Sequence, residues 1–321
     1  MGLHWAAPVL QSLIPAGHWE RIQSVQVDPT VPTKENDTLI FMNAQTGERM
    51  GGATMERFYR LVRSKLRKLL TEGVEVKYGK KLTNIVYNNA ESVTAEFDDG
   101  TSVKGRIIVG ADGASSSVRR LLVGQEAGAN PRIPFCATFI QARYTREQAL
   151  HLRHFHPLYL AGLHPDGYFS FFGTQDASDA DRPETWVFFF YISWPCSLEE
   201  QQKTASWTGA DRLRQAKQFS KRYADPWKSA YKWLPDDHPV SYHSMSDWDP
   251  GAEGHQWNNH RGLVTLAGDA AHTMTYQRGQ GLNHSITDAR KLTDAIQSFI
   301  QGESSQDASI ADYEKEMVTR A

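Results

Sequence analysis

The chain has 321 residues, of which 40% are hydrophobic and 22% are charged, and its formal net charge is −2. This length suits one large domain or two smaller ones, and the balanced charge provides no basic surface for nucleic acid or for an anionic membrane. Two cysteines, Cys136 and Cys196, are too few for a disulfide scaffold and too far apart for a CxxC metal site.

The first residues lack the basic segment of a secretory signal, and no run of about 18 apolar residues predicts a membrane-spanning helix. Because the cysteine content also suits a reducing compartment, we expect a cytoplasmic protein with no nucleic-acid partner and no transmembrane segment. Residues 1–50 show little periodicity and are interpreted as loop, with a short helix over 8–14.

The next segment predicts a layered α/β arrangement. Ser64 is expected to cap a helix over 65–72, which Gly73 ends. The following strands are predicted at residues 74–78, 93–97 and 102–109. The last two are joined by a hairpin turn at 98–101, since a glycine there tolerates a positive φ.

A buried strand over 106–110 leads into Ala111-Asp112-Gly113. One of the three serines at 115–117 is expected to cap the short helix that follows, through Leu122. The order helix, strand, hairpin, strand, helix is typical of an α/β domain.

Between residues 135 and 194 the pattern changes to short aromatic and β-branched runs separated by Gly, Pro and Asp, which predicts an antiparallel sheet. Its strands are expected at 136–142, 168–172 and 186–192. One or two helices are expected over 197–240. The aromatic run Trp186–Trp194 is interpreted as core packing rather than as a substrate clamp.

The α/β pattern then returns. A buried strand over 261–267 precedes a glycine-rich loop and a helix over 282–300, whose apolar residues recur every three or four positions. We therefore divide the chain into an α/β domain made of residues 1–125 and 251–321, interrupted by a sheet domain with helices at 126–250.

The strongest candidate site is the string from Gly268-Asp269 to Gly281-Leu282-Asn283. It follows a strand, and ligands of open α/β sheets bind beyond the carboxyl ends of strands. The Asp269 carboxylate can accept hydrogen bonds from a polyol, and Gly279 and Gly281 let a flat ring approach the backbone. The positive end of the following helix would stabilise negative charge on that ring. A Gly-x-Gly pair alone would indicate only a strand–turn–helix connection.

The sixteen-residue string resembles the second FAD-binding motif of the class A flavoprotein monooxygenases, the para-hydroxybenzoate hydroxylase-like family. Within that family the sequence pattern is most similar to that of fungal secondary-metabolite enzymes. Ile107–Gly113 resembles the family's middle Asp-Gly motif, and Arg63 with Ser64 and Leu66 resembles its flavin-contacting Arg. The three motifs occur in family order. The resemblance implies an α/β FAD-binding Rossmann-like fold of the glutathione reductase type with an inserted, mostly antiparallel substrate domain at 126–250.

The resemblance also implies roles for individual residues. Gly268, Gly279, Gly281, Leu282 and Asn283 would surround the cofactor. Asp269 would bind its ribityl chain, Arg63 would reach the ribityl or pyrophosphate region, and Asp112 would support the nucleotide. NAD(P)H would reduce FAD, and O2 would form a flavin C4a-hydroperoxide that hydroxylates a small aromatic or alkene substrate.

Two features depart from the family pattern. Tyr276 stands where the family often has Pro, and no strand–GxGxxG–helix unit for the FAD pyrophosphate occurs in the chain. We therefore expect an N-terminally truncated FAD-binding domain that lacks its first βαβ unit. A non-catalytic remnant unable to hold FAD is the alternative to a monooxygenase. Halogenation is disfavoured because no Trp-x-Trp-x-Ile-Pro string is present.

Weaker signals concern single side chains. Tyr168 is the candidate catalytic residue, as a phenol that orients or deprotonates a substrate, with Tyr191 and Arg146 as rivals. His151, His154, His156 and His164 have no standard zinc spacing, and we predict no metal site. His272 is expected to be structural, and Arg119-Arg120 is interpreted as a solvated helix face. The sequence leaves the substrate's identity and the oligomeric state open.

Overall fold

A computed structural model describes residues 1–89 and 91–321 of the chain. These residues form two compact units. The sheet unit comprises Met1–Trp5, Pro15–Leu70 and Arg132–Met245. The α/β unit comprises Ala6–Ile14, Thr71–Pro131 and Ser246–Ala321. Within the described part of the chain, no helix is both long and apolar enough to cross a membrane.

The strands are β1 (Gly2–Leu3), β2 (Asn36–Asn43), β3 (Arg49–Glu56), β4 (Tyr59–Arg60), β5 (Leu82–Asn89), β6 (Ser92–Phe97), β7 (Ser102–Gly105), β8 (Ile108–Gly110), β9 (Arg132–Ala142), β10 (Tyr159–Leu163), β11 (Phe169–Asp176), β12 (Val187–Pro195), β13 (Ser241–Ser246) and β14 (Val264–Leu266).

The helices are α1 (Ala7–Leu13), α2 (Ala16–Trp19), α3 (Arg63–Leu70), α4 (Ser117–Val123), α5 (Arg146–Phe155), α6 (Leu198–Lys203), α7 (Gly209–Ser220), α8 (Trp227–Lys232), α9 (Gly281–Gln301) and α10 (Gln306–Arg320).

The sheet unit is built on a mixed sheet of order β13-β9-β12-β11-β10-β2-β3. In it β10 pairs in parallel with β2, while the pairs β9–β12, β12–β11, β11–β10 and β2–β3 are antiparallel. Successive side chains of β12 point to opposite faces of the sheet. Phe188 and Phe190 are buried in a core with Trp227 and Tyr231 of α8. The predicted antiparallel strands of this region are therefore confirmed, with longer bounds than expected.

Close packing between this sheet and α8 requires a glycine in β10. A Cβ on Gly162 would lie 2.6 Å from the Trp227 ring and 2.5 Å from Ser170 Oγ. Those distances are shorter than real Cβ contacts, so any larger residue would push the indole out of the core.

The interpretation of residues 1–50 as mostly loop was wrong for the hairpin formed by β2 and β3. This hairpin joins the sheet beside β10, which places residues 15–70 in the sheet unit. Its second strand is mostly exposed and contains Gly51 and Gly52, so it lacks the apolar alternation that marks a half-buried strand. The division of the chain into cofactor-binding and substrate-binding domains stays a prediction.

In the α/β unit, β14 pairs in parallel with β8, and β5, β6 and β7 form an antiparallel sheet. Helices α9 and α10 pack beside β14 around buried Leu266, Leu292 and Tyr313. The predicted hairpin turn is confirmed, with Gly100 at φ +79°. The predicted strand at 74–78 was wrong, because that segment is exposed and irregular and the strand is β5.

The structure moves the predicted start of one helix, α3, and confirms features of two others. Helix α3 begins at Arg63, so Ser64 lies inside its first turn and is not the N-cap. For α4 the expectation of a serine cap is confirmed, since Ser116 Oγ accepts the Arg119 amide. The predicted apolar face of α9 is also confirmed by buried Ile286, Leu292 and Phe299.

His156 supplies a prediction about acid stability of the sheet unit. Its Nδ1 accepts the amides of Leu158 and Tyr159 at 3.1 and 2.9 Å, which requires an unprotonated nitrogen. Burial lowers the pKa of His156 from 6.5 to about 4. The stability from the neutral ring is therefore complete above about pH 6.5 and is lost as the pH falls towards 4.

His156→Asn retains an acceptor at the same position but cannot take up a proton. We expect this variant to lose less stability than the parent between about pH 7 and pH 5, as measured by urea unfolding. His154→Asn, at an exposed position in the last turn of α5, is the control and should lose as much as the parent. Equal acid sensitivity of the His156 variant and the parent would contradict this assignment.

Candidate functional site

The candidate site begins where β14 ends. The chain passes through Ala267 into a single helical turn at Gly268–Ala270. Gly268 has φ +61°, and a Cβ there would lie 2.8 Å from Ser285 Oγ of α9. Both the left-handed backbone and the contact with α9 therefore require glycine at this position.

Asp269, the central residue of this turn, is exposed. Its backbone carbonyl accepts Thr273 Oγ1 at 2.7 Å. No hydrogen bond or ion pair to its carboxylate is found among the described residues. A Cβ on Gly281 would lie 3.6 Å from Asp269 Oδ1, so the carboxylate is beside the first turn of α9.

The start of α9 supplies the rest of the predicted motif. Gly279 has φ +63° with open space around its Cβ position, and no side chain caps α9. Leu282 is partly exposed in the first turn. Asn283 is fully buried, and its Oδ1 accepts the Ala6 amide at 3.3 Å. The structure therefore brings Asp269, Gly279, Gly281 and Leu282 together at the surface, while Asn283 anchors the segment before α1.

A fully buried carboxylate, Asp288, holds this arrangement from within. It accepts the Gly268 amide at 2.6 Å, His272 Nε2 at 2.7 Å and Arg320 Nη2 at 2.6 Å. Burial by itself would raise the pKa of Asp288, but the bonds from His272, Arg320 and Gly268 outweigh burial and lower it. Asp288 is thus an ionised acceptor that ties the Asp269 turn to α9 and α10.

The expected structural role of His272 agrees with its position. The imidazole is 2% exposed, and its Nδ1 has no partner among the described residues. Arg320, on its other side, contacts His284 Nδ1 at 3.0 Å and pairs with Glu316. Sequence analysis missed Asp288 and Arg320. The available signal was a carboxylate on the core-facing side of a predicted amphipathic helix, where an unpaired charge is costly.

Arg119 was also misjudged. The interpretation of Arg119-Arg120 as a solvated face was wrong for Arg119, which is fully buried. Its Nη1 donates to the carbonyls of Ala270 and Asp269 at 2.9 and 3.3 Å. Its other nitrogens donate to Gly128 and Ala114. Burial lowers the pKa of Arg119, and the side chain serves as a second brace for the Asp269 turn.

Both carboxylate oxygens of Asp112 accept hydrogen bonds within the protein. Its Oδ2 accepts the amides of Ser117 and Val118 at 2.6 and 3.2 Å, and its Oδ1 accepts the Ser116 hydroxyl. These bonds stabilise the N-terminus of α4. A nucleotide-supporting role for Asp112, which stays a prediction, would be exercised through the conformation of this loop.

The remaining predicted residues lie in the sheet unit. Arg63 is exposed and begins α3. Tyr168 packs on the helix-covered core, where its hydroxyl accepts Arg222 Nη2 at 3.0 Å. Tyr191 points to the opposite face and contacts Phe139 and Phe171. The catalytic role of Tyr168, with Tyr191 as its rival, stays a prediction. Among residues 1–89 and 91–321, no group of three or more potential ligands suits a metal ion.

A family model described as an FAD binding domain matches residues 17–321. The chain belongs to the class A FAD-dependent monooxygenase family. This membership confirms the predicted family of FAD-dependent enzymes.

Similar proteins agree with the family. The FAD-dependent monooxygenase cctM of Talaromyces islandicus is 34% identical over 90% of this chain and 70% of its own length. The FAD-dependent monooxygenase phnB of Penicillium herquei is 32% identical over 100% of this chain and 77% of its own length.

Solved structures confirm the fold class. Klebsiella pneumoniae HpxO, complexed with FAD and uric acid, has a TM-score of 0.70 at 18% identity, covering 100% of this chain and 75% of HpxO. The 2,6-dihydroxypyridine-3-hydroxylase of Arthrobacter nicotinovorans also has a TM-score of 0.70, at 17% identity, covering 99% of this chain and 78% of that chain.

Asp288→Asn tests the buried brace. The amide cannot accept from the Gly268 amide, His272 and Arg320 as a carboxylate does, so buried donors lose partners. We expect a loss of about 3 kcal/mol in unfolding free energy. Asp294→Asn is the control, because the one ion pair of Asp294 among the described residues is a solvent-accessible i,i+4 pair with Arg290 on the same helix, and it should cost less than about 0.5 kcal/mol. Equal losses in urea unfolding would show that Asp288 is not a brace.

Proposed function

We propose that this monooxygenase inserts one oxygen atom from O2 into a small aromatic or alkene metabolite, with NAD(P)H as reductant, in secondary-metabolite biosynthesis. The observation that carries the proposal is the exposed Asp269 carboxylate, which has no partner among the described residues and is held beside the first turn of α9. A carboxylate left free at the surface of so heavily braced a turn suits a ligand that donates hydrogen bonds.

The residues present fit the flavin end of FAD. The Asp269 carboxylate would accept hydrogen bonds from hydroxyl groups of the ribityl chain. The open backbone at Gly279 and Gly281 would lie against the ring. No side chain caps α9, so the positive end of the helix would be available to stabilise negative charge on the ring. Bound FAD supplies reduction by NAD(P)H, activation of O2 and transfer of one oxygen atom.

The chain's own residues would position and electrostatically support that chemistry. Asp288, Arg119 and Thr273 fix the Asp269 turn before any ligand arrives, so little ordering remains to be done on binding. The dipole of α9 would favour the anionic form of the reduced ring. Neither effect requires a protein acid or base at the ring.

The substrate would lie against an aromatic face of the mixed sheet. Phe139 contacts Tyr191 at 4.9 Å and His243 at 5.0 Å between ring centroids, and Phe171 stacks on Tyr191 at 5.8 Å. Burial raises the pKa of Tyr191, so its phenol stays protonated at neutral pH. Aromatic rings with one polar handle suit a flat, phenolic substrate. Uric acid, with which the structural neighbour HpxO is complexed, is likewise a small, flat molecule.

A second candidate is a family member that folds without retaining FAD. The observation in its favour is the lack of a GxGxxG string anywhere in the 321 residues, since that motif holds the pyrophosphate of FAD in dinucleotide-binding folds. Purified protein decides between the two candidates: a yellow preparation that releases FAD on denaturation supports the monooxygenase, and a colourless one that stays colourless with added FAD supports the second.

Asp269→Asn tests the flavin site. Replacing the charged acceptor by an amide should weaken FAD binding about ten- to hundred-fold, because hydrogen bonds to a charged group are the stronger ones. The measurement is the FAD dissociation constant from flavin fluorescence. Asp312→Asn, at an exposed position of α10, should leave the constant unchanged, whereas unchanged binding in the Asp269 variant would move the site elsewhere.

Paired tyrosine variants test which face meets the substrate. With a phenol that stimulates NAD(P)H oxidation, Tyr191→Phe should lower kcat/KM about ten-fold through loss of one hydrogen bond to a charged or polar oxygen. Tyr168→Phe should have little effect, since its hydroxyl serves Arg222 on the other face. The reverse pattern would establish Tyr168 as the catalytic residue.

A further inference from the structure

The sheet unit contains a pocket of about 460 Å³ that the proposed flavin site does not use. It lies where the start of β9 and the edge strand β13 meet α6 and α7. Its lining includes Arg132, Gln201, Trp207, Arg212 and Tyr242. All of these residues belong to the sheet unit, and none lies in the Gly268–Asn283 motif.

The most unusual of these residues is Arg212, whose side chain is buried without a countercharge. The residue is 4% exposed. Its guanidinium carbon lies 3.6 Å from the centroid of the Tyr242 ring and 4.9 Å from that of Trp207. One nitrogen donates to the Thr204 carbonyl, and no carboxylate pairs with Arg212 among the described residues. The Tyr242 and Trp207 rings thus hold the planar Arg212 guanidinium in place, and some of its N–H groups donate no hydrogen bond to the described residues.

A second cation lines the same pocket. Arg132 is exposed, and no ion pair to it is found in the described ranges. The nearest carboxylates along the neighbouring helices are engaged elsewhere: Glu200 accepts from Ser197, and Asp211 accepts from Thr208 and Arg214. The pocket therefore presents two positive charges with no internal acid to neutralise them, which favours an anionic ligand.

Gln201 adds an acceptor at the same place. The residue is 3% exposed, and its Nε2 donates to the carbonyls of Ile133 and Cys196 at 2.9 and 3.0 Å, which fixes the orientation of the amide. Its Oε1 is buried and has no partner in the part of the chain that the structure describes. A buried acceptor without a donor costs stability, so a ligand group that donated a hydrogen bond to this oxygen would remove that cost.

Tyr242 gives the pocket a rigid wall. Its hydroxyl donates to Cys136 Sγ at 2.8 Å, and burial raises the pKa of Tyr242 to about 12. The phenol is therefore neutral and occupied, so it contributes ring surface rather than charge. Trp207, 41% exposed, offers a second and more accessible apolar surface.

We propose that this pocket binds a small aromatic carboxylic acid that carries a hydroxyl group. The carboxylate would pair with Arg132 and the free edge of Arg212, the hydroxyl would donate to Gln201 Oε1, and the ring would pack on Trp207. The planar carboxylate matches the guanidinium fork, and the volume suits a ligand of this size. The pocket is a second small-molecule site, independent of the flavin site.

Calorimetric titration of the purified protein with three matched probes tests the ligand class. We expect 3-hydroxybenzoate to bind tightest, benzoate to bind more weakly because it lacks the donor for Gln201, and phenol to bind weakest because it lacks the carboxylate. Inorganic phosphate should bind no better than benzoate. Phosphate binding as tight as that of 3-hydroxybenzoate would overturn the proposed ligand class, as would the absence of any binding.

Variants locate the binding. Arg132→Gln should raise the dissociation constant of 3-hydroxybenzoate about ten-fold, whereas Arg143→Gln, just beyond the other end of β9, should not change it. Arg132 is exposed, so this variant is expected to fold. Gln201→Met should remove the preference for 3-hydroxybenzoate over benzoate, with thermal unfolding as the check on its fold. An unchanged constant in the Arg132 variant would place the binding elsewhere.

A final control separates this proposal from the proposed function. Asp269→Asn should leave the dissociation constant of 3-hydroxybenzoate unchanged, because no residue of the pocket belongs to the flavin motif. Loss of binding in that variant, or in Tyr191→Phe on the aromatic face, would mean that the probe occupies the catalytic site and would overturn the second site. Unchanged binding in a protein that retains no FAD would support the pocket while the flavin proposal fails.

Discussion

The candidate cofactor site depends on one buried charge. Asp288 is fully excluded from solvent and is surrounded by an amide, an imidazole and a guanidinium from three separate segments. Removing such a charge from water is tolerable only when each of its oxygens is hydrogen-bonded. Meeting that requirement forces the Asp269 turn, α9 and the end of α10 into one arrangement, with Asp269 outside and Asp288 inside.

Local sequence patterns predicted those structural features that depend on residues close together in the chain. The amphipathic helix at 282–300, the hairpin at Gly100 and the serine cap of α4 each follow from spacing over a few residues, and each is present. The surface residues of the candidate flavin motif were predicted from the resemblance of the whole sixteen-residue string, because a Gly-x-Gly pair alone indicates only a strand–turn–helix connection. Arg119 was missed because its partners Asp269 and Ala270 lie 150 and 151 positions away, and a single sequence carries no signal for that distance. For Asp288 the available signal was its place on the core-facing side of the predicted helix.

The sheet unit illustrates a different limit. Phe188 and Phe189 are adjacent and chemically identical, yet one is fully buried beneath α8 and the other belongs to the aromatic face. The alternation of a strand predicts two faces but not which of them a helix covers. Tyr168 and Tyr191 were therefore indistinguishable as candidates until β11 and β12 were placed in register, with Phe171 opposite Tyr191.

Arg119 links the carbonyls of Ala114 and Gly128 to those of Asp269 and Ala270. The residues between these two groups include the whole of the 132–245 segment, which belongs to the other unit. The Asp269 turn therefore cannot reach its final shape until distant stretches of polypeptide have met. Such late, non-local closure is slow during folding, and ribosome-bound chains that end before α9 would emerge without the bonds from Asp288 that hold this turn.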